Sequence, residues 1–191
     1  MLAIFGLSKS KEGIFVLLTV PSLLTTAIAL FVNHIGERNK VILHLVCFTL
    51  AFFLIELLIM QFGLFNKTYA KELLGYKFMG VPLVIGLSGW ISVYMGVHLV
   101  KKLKMNRVKK ALIGATLLMI LTALAEPVGV KLKLWSYQGE LGPLNLFGYF
   151  LVYTLMIYFS RLIRFKKKNP IVGPVFIIFV LFFISLNLIL S

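Results

Sequence analysis

"LTALAEPVGVKLKLWSYQGELGPLNLFGYF", residues 121–150, decides how the chain is folded. An apolar run closes on Glu126-Pro127, a short basic and aromatic link follows, and from Pro143 the chain is apolar again. Followed outward, the two flanks become apolar runs at 109–129 and 143–163. At about 1.5 Å per residue, a helix of roughly 20 residues crosses the ~30 Å hydrocarbon core of a bilayer. Four further runs of this kind lie at 13–32, 40–63, 81–100 and 171–190, bounded by charge, glycine and proline.

Of the 191 residues, 60% are hydrophobic, and the mean hydropathy is +1.00. A water-soluble domain has too little interior to hide that fraction. Backbone groups in lipid must be paired internally, which helices do within one segment, and the alternation of a membrane barrel strand is absent. The expected fold is an all-α integral membrane protein, one domain over residues 1–191, built as a bundle of about six transmembrane helices. Residues 1–12, "MLAIFGLSKSKE", lack the order of a cleavable signal and read as an interfacial segment.

The net charge of +14 would suggest a nucleic-acid partner in a soluble protein. Here the basic residues sit between apolar runs, where positive-inside bias and anionic headgroups account for them, so membrane lipid and not nucleic acid is the expected partner. Thirteen of the 20 lysines and arginines fall in the links 33–40, 101–110 and 161–170. That places these links in the cytoplasm and both termini outside, in a multi-pass protein of the cell membrane. Cys47 is the single cysteine, which excludes a disulfide framework.

The two long outward links, 63–80 and 130–142, are rich in aromatics, amides and glycine. Each follows a run with a glutamate in its last third, Glu56 or Glu126, and each precedes a run opening with Pro-Leu. The pattern resembles a divergent internal repeat of helix, aromatic link and helix, an arrangement that sets binding sites between halves.

The chain has no aspartate and only six glutamates. Glu12, Glu37, Glu72 and Glu140 lie in or beside links, where solvation explains them. Glu56 and Glu126 lie inside apolar runs, where an ionisable side chain is costly and marks a functional site. An apolar pocket favours the protonated form of a carboxylic acid, which makes a proton available. Aromatic faces stabilise a cation formed beside it. Trp90, Trp135, Tyr69, Tyr76, Tyr137 and Tyr149 stand on that side, although interfacial belts enrich Trp and Tyr without any site. His34, His44 and His98 show no metal-binding spacing, and His44 with Cys47 at i and i+3 makes no metal site; packing is their expected role. Phosphate loops and dinucleotide fingerprints are absent.

These residues resemble the carotenoid biosynthesis membrane proteins of the carotenoid 1,2-hydratase type, and more distantly the heterodimer-type lycopene cyclases. The first block is Glu56, Phe62-Gly63, Tyr69, Gly75, "GVPL" at 80–83 and Trp90. The second is Glu126-Pro127, Gly129, Trp135, Tyr137, Gly139, Gly142-Pro143-Leu144, Asn145 and Gly148. The family usually has Asp-Pro where this chain has Glu126-Pro127, and tryptophan where it has Tyr149. The resemblance implies addition of water to the terminal double bond of an acyclic carotenoid such as lycopene. Glu126 or Glu56 would donate the proton. Trp135, Tyr137 and Trp90 would face the tertiary cation, and the other glutamate and Asn145 would orient water. Neither redox chemistry nor a cofactor is required, no metal is expected, and other carotenoid-pathway enzymes are natural partners. Capture of the cation by an internal double bond would make the protein a cyclase instead. A small proton-coupled transporter or lipid-binding protein is a third alternative, although Thr25, Thr26, Thr49, Ser92, Thr116 and Thr122 form no continuous ionisable route.

Overall fold

A computed structural model of the chain describes residues 11–64, 67–70, 74–138 and 143–190. Residues 1–10 of the expected interfacial segment, together with Glu72, Gly139, Glu140 and Gly142, lie outside the described residues, as do the side chains of Glu12, Pro143 and Leu144. A helix covers each expected span: α1 (Lys11–Val32), α2 (Arg38–Gln61), α3 (Leu83–Leu99), α4 (Arg107–Lys131), α5 (Pro143–Ser160) and α6 (Val172–Leu190). Three of them, α2, α4 and α6, are both long and apolar enough to cross a membrane. Large apolar side chains such as Leu50, Leu54, Leu155, Ile178 and Leu188 stand exposed on the outer faces, a surface suited to lipid rather than water.

The links differ from expectation. The segments between helices contain short strands, β1 (Lys67–Tyr69), β2 (Lys77–Phe78), β3 (Val81–Pro82) and β4 (Trp135–Tyr137). β2 and β3 form a small antiparallel pair just before α3. β1 and β4 come from different links and pair antiparallel, with Lys67 opposite Tyr137, Thr68 opposite Ser136 and Tyr69 opposite Trp135. This two-stranded ribbon closes one end of the bundle.

Helices α2 and α4 deliver the chain to that ribbon in the same way. In α2, the amide of Leu64 donates to Ile59 O after Gly63 turns left-handed. In α4, the amide of Leu134 donates to Gly129 O after Lys133 does the same. Each closure satisfies a carbonyl that a helix end would otherwise leave unpaired. Each also places a glutamate (Glu56, Glu126) just inside the end of its helix.

Helix α3 is the centre. It packs against α1, α2, α4, α5 and α6, and Trp90, Val93, Tyr94 and His98 on it are fully buried. Close approach is possible because glycines face its neighbours, as is common where helices pack in membranes. A Cβ at Gly89 would meet Phe52 of α2 at 2.0 Å, and one at Gly86 would meet Thr49 O at 2.6 Å. Across the other face, Gly96 lies against Ile157 and Leu118. Helix α6 is held more loosely: only Val172 and Leu186 are buried on it, and Asn187 Nδ2 donates to Leu124 O of α4.

The α2–α3 contact is therefore intolerant of side-chain volume. Gly89→Val is expected to destabilise the protein by about 1–3 kcal/mol, the cost of overpacking a close-packed core. Gly173→Ala, where nothing lies within 4 Å of the new carbon, is expected to be neutral. Thermal unfolding of the two variants in detergent checks the contrast.

Candidate functional site

The ribbon presents side chains by strand alternation. Thr68 and Ser136 point outward and share a hydroxyl–hydroxyl hydrogen bond of 2.9 Å. Lys67, Tyr69, Trp135 and Tyr137 point into the bundle, over the ends of α2 and α4. Beneath them is a cavity of about 350 Å³. Apolar residues of α1, α3, α4 and α6 form most of its wall, among them Leu23, Ile91, Leu121 and Phe183. Its polar residues include Glu56, Lys67, Tyr69, Glu126, Trp135 and Tyr149.

Glu56 is 2% exposed and Glu126 4%. Their oxygens are not left alone, because a buried polar group without a partner is costly. Glu56 Oε1 accepts from Tyr149 Oη at 2.9 Å and Oε2 from Tyr69 Oη at 3.2 Å. Glu126 Oε2 accepts from Trp135 Nε1 at 2.7 Å and Tyr137 Oη at 2.8 Å. Its Oε1 faces Lys67 Nζ at 3.4 Å in an ion pair whose two side chains are each 5% exposed. The ammonium also donates to Tyr149 Oη at 3.1 Å. A continuous path thus runs from Glu56 through Tyr149 and Lys67 to Glu126.

Lys67 was not among the residues singled out from the sequence, where it reads as one more boundary charge. In the fold it is central. Its Nζ lies 4.6 Å from the ring centre of Trp135, 5.2 Å from Tyr69, 5.4 Å from Tyr149 and 5.7 Å from Tyr137. All four lie within the range of cation–π attraction. The usable signal was the parallel between Lys-Thr-Tyr (67–69) and Trp-Ser-Tyr (135–137): a hydroxyl residue flanked on both sides by large ones, the pattern of a two-faced strand.

Gly129 makes the Trp135 contact possible. It lies one turn after Glu126 on α4, and any Cβ there would come within 2.0 Å of the indole. The ring therefore lies flat on the helix backbone, with its N–H turned to Glu126. Burial pushes the Tyr69 phenol well above the ordinary tyrosine range, reinforced by the charges of Glu56 and Glu126. Burial and then the charge of Glu126 do the same for Tyr137.

Of the residues expected at the site, Glu56, Glu126, Tyr69, Trp135, Tyr137 and Tyr149 come together here. Three do not. Tyr76 is 89% exposed; it immediately precedes β2, beside the β2–β3 pair and not on the ribbon. Asn145 is half-buried on the first turn of α5 and is not among the described residues lining the cavity. Trp90 is fully buried but turned away from the cavity, its Nε1 donating to His44 Nδ1 at 3.0 Å.

That bond belongs to a second polar cluster. The three histidines, scattered in sequence, are all buried. His44 Nε2 bonds Ser160 Oγ at 2.6 Å, and His34 Nδ1 bonds Tyr94 Oη at 2.5 Å. Asn169 donates its backbone N–H to His98 Nδ1 and its side-chain amide to Tyr94 Oη, both at 3.1 Å. The His34 imidazole, in the α1–α2 link, is held below its ordinary pKa by burial and by the charge of Lys101. Cys47 is exposed whereas His44, on the same helix, is fully buried.

The apolar helices and the buried, aromatic-capped pair of carboxyls define a helical protein with an acid site at one end of a greasy cavity. The chain belongs to the carotenoid biosynthesis protein family, whose profile matches residues 14–190. That span is wider than the 56–149 region carrying the resemblance in the sequence, and membership implies a biosynthetic role with a carotenoid substrate. No curated protein and no solved structure matches the chain.

Two outcomes test the geometry. Gly129→Ala is expected to displace the Trp135 indole, shifting tryptophan emission to the red as the ring leaves its buried seat. For Tyr137, the raised phenol stays neutral in the folded protein while the unfolded chain ionises near the ordinary value of about 10. Its contribution to stability is therefore complete below about pH 10 and is lost as pH rises further. In Tyr137→Phe the fall in unfolding free energy between about pH 10 and 12 is expected to be shallower by up to about 1.4 kcal/mol per pH unit, one proton's worth. Denaturant titrations across that range measure it.

Proposed function

We propose that the protein is a cofactor-independent carotenoid hydratase of the cell membrane, with six crossings and both termini outside. It adds water to the terminal double bond of an acyclic carotenoid end group. The observation that carries this reading is the meeting of Glu56 and Glu126 at the polar part of one apolar cavity, joined through Tyr149 and Lys67. The end group lies against the acids, and the apolar walls of α1, α3 and α6 take the chain that follows.

The hydrogen bonds divide the work between the two acids. Besides the Tyr137 hydroxyl, Glu126 accepts from an ammonium and an indole N–H, groups that can only donate. It serves as the fixed counter-charge. The partners of Glu56 are two tyrosine hydroxyls, each able to donate or to accept, so Glu56 is the carboxyl able to carry a proton. Glu56 gives that proton to the less substituted carbon of the double bond. The π electrons form the new C–H bond, and the tertiary carbon becomes a cation facing Trp135 and the tyrosines. Water adds its oxygen to that carbon, and its surplus proton returns to Glu56. The sum is one alkene and one water giving one tertiary alcohol. This replaces the assignment of water orientation to Asn145 and of cation stabilisation to Trp90, neither of which lines the cavity.

Pigment analysis of lycopene-accumulating cells expressing the wild type, Glu56→Gln or Glu126→Gln tests this. The wild type is expected to yield a product one water heavier. Glu56→Gln should lower its formation by about 10²–10⁴-fold, the usual contribution of a general acid. A product of unchanged mass and shorter-wavelength absorption would make the protein a cyclase. Unaltered pigment with a well-folded wild type would overturn the reading.

A further inference from the structure

A cage made to hold a cation is already full. Tyr69, Trp135, Tyr137 and Tyr149 surround Lys67 Nζ at 4.6–5.7 Å from their ring centres, with Glu126 at 3.4 Å and the Glu56 carboxyl one tyrosine hydroxyl away. Four electron-rich faces and a carboxylate are how proteins recognise substituted ammonium ions. Two positive charges in an enclosure of this size repel one another, so the cage holds one cation at a time. Lys67 belongs to a strand of only three residues, paired by three residue couples to β4. Ribbons this short are at best marginally stable by themselves, and the lysine's four-carbon stem is flexible. The occupant therefore sits on a part of the fold suited to giving way.

We propose that the ribbon end of the cavity is an exchangeable cation site, that Lys67 is its internal occupant, and that an external cation on an apolar chain displaces it. The inference deepens the hydration reading and rests on it for its catalytic meaning, in which the displaced lysine makes way for the positively charged end group. Lys67 is thus a positioning residue. It keeps the four rings and Glu126 arranged around a positive charge while no substrate is present, so that little reorganisation remains when charge develops. The ligand class follows from the lining: a tertiary or quaternary ammonium on a long hydrocarbon chain.

The test is direct binding to the full-length protein in detergent. The probe is dodecyldimethylamine, with 2-methyltetradecane as the uncharged molecule of the same shape, and Trp135 emission is the readout. Lys67→Met is expected to bind the amine at least tenfold more tightly than the wild type does, and at least tenfold more tightly than the hydrocarbon. The gain should vanish in Lys67→Met/Glu126→Gln. Equal binding of amine and hydrocarbon by Lys67→Met, or an affinity for the amine no greater than that of the wild type, would overturn the proposal. Should Lys67→Met not fold, Lys67→Arg keeps the charge and fills the cage with a larger planar cation. It is expected to bind the amine at least tenfold more weakly than the wild type, and unchanged affinity would count against the site. Because binding is read without turnover, a cage that takes the amine in a protein that leaves lycopene unaltered would retain the cation site and reject hydration.

Discussion

The pairing of Lys67 with Glu126 is the constraint around which the rest of this end of the molecule is arranged. Each partner is withdrawn from water, at a cost that mutual attraction recovers only when the remaining hydrogen-bonding capacity is also met. The fold meets it with Trp135 and Tyr137 on the acid and Tyr149 on the amine. Satisfying those groups requires β1 and β4, whose paired ends Tyr69 and Trp135 are 66 residues apart in the chain, to lie side by side. It also requires a glycine at position 129, where the indole rests on the α4 backbone. Ribbon, helix end and acid are therefore one interdependent unit.

Electrostatics set the scale. Two unit charges about 5 Å apart interact with about 3 kcal/mol at an effective dielectric constant near 20. That is enough for Glu126 to favour a positive charge in the cage strongly, and enough to penalise a second one beside the first. The same carboxylate thus stabilises the resting protein and, once the lysine is displaced, favours a cation in its place. Stability and chemistry draw on one interaction.

Much of this was readable in the sequence, for identifiable reasons. Helices announce themselves when apolar runs are long, and the six lie within a few residues of their expected limits. A carboxyl group in such a run is conspicuous because it is expensive, which is why Glu56 and Glu126 stood out. What stayed hidden depended on contacts across the chain. Strands of three residues are too short for period-two alternation to show, so the ribbon read as two loops. Lys67 resembled the other basic residues at helix boundaries, and only the pairing of β1 with β4 puts it among aromatic rings. Trp90 and Tyr76 misled for the opposite reason: each has the right composition and neighbourhood in sequence. The face of α3 turns one toward His44, and the other stands in the open just before β2.

The outward hydroxyls of Thr68 and Ser136 have a consequence for sidedness. The ribbon is hydrophilic on one surface and aromatic on the other, so the boundary between water and the apolar interior runs through a sheet one strand-layer thick. The acids lie directly below it. Among the described residues, the polar histidine cluster at the other side of α3 is separated from them by packed apolar side chains such as Phe48, Phe52, Ile91 and Leu118. On the proposed hydration reading, the acid pair exchanges protons through the ribbon face and not through the histidine cluster.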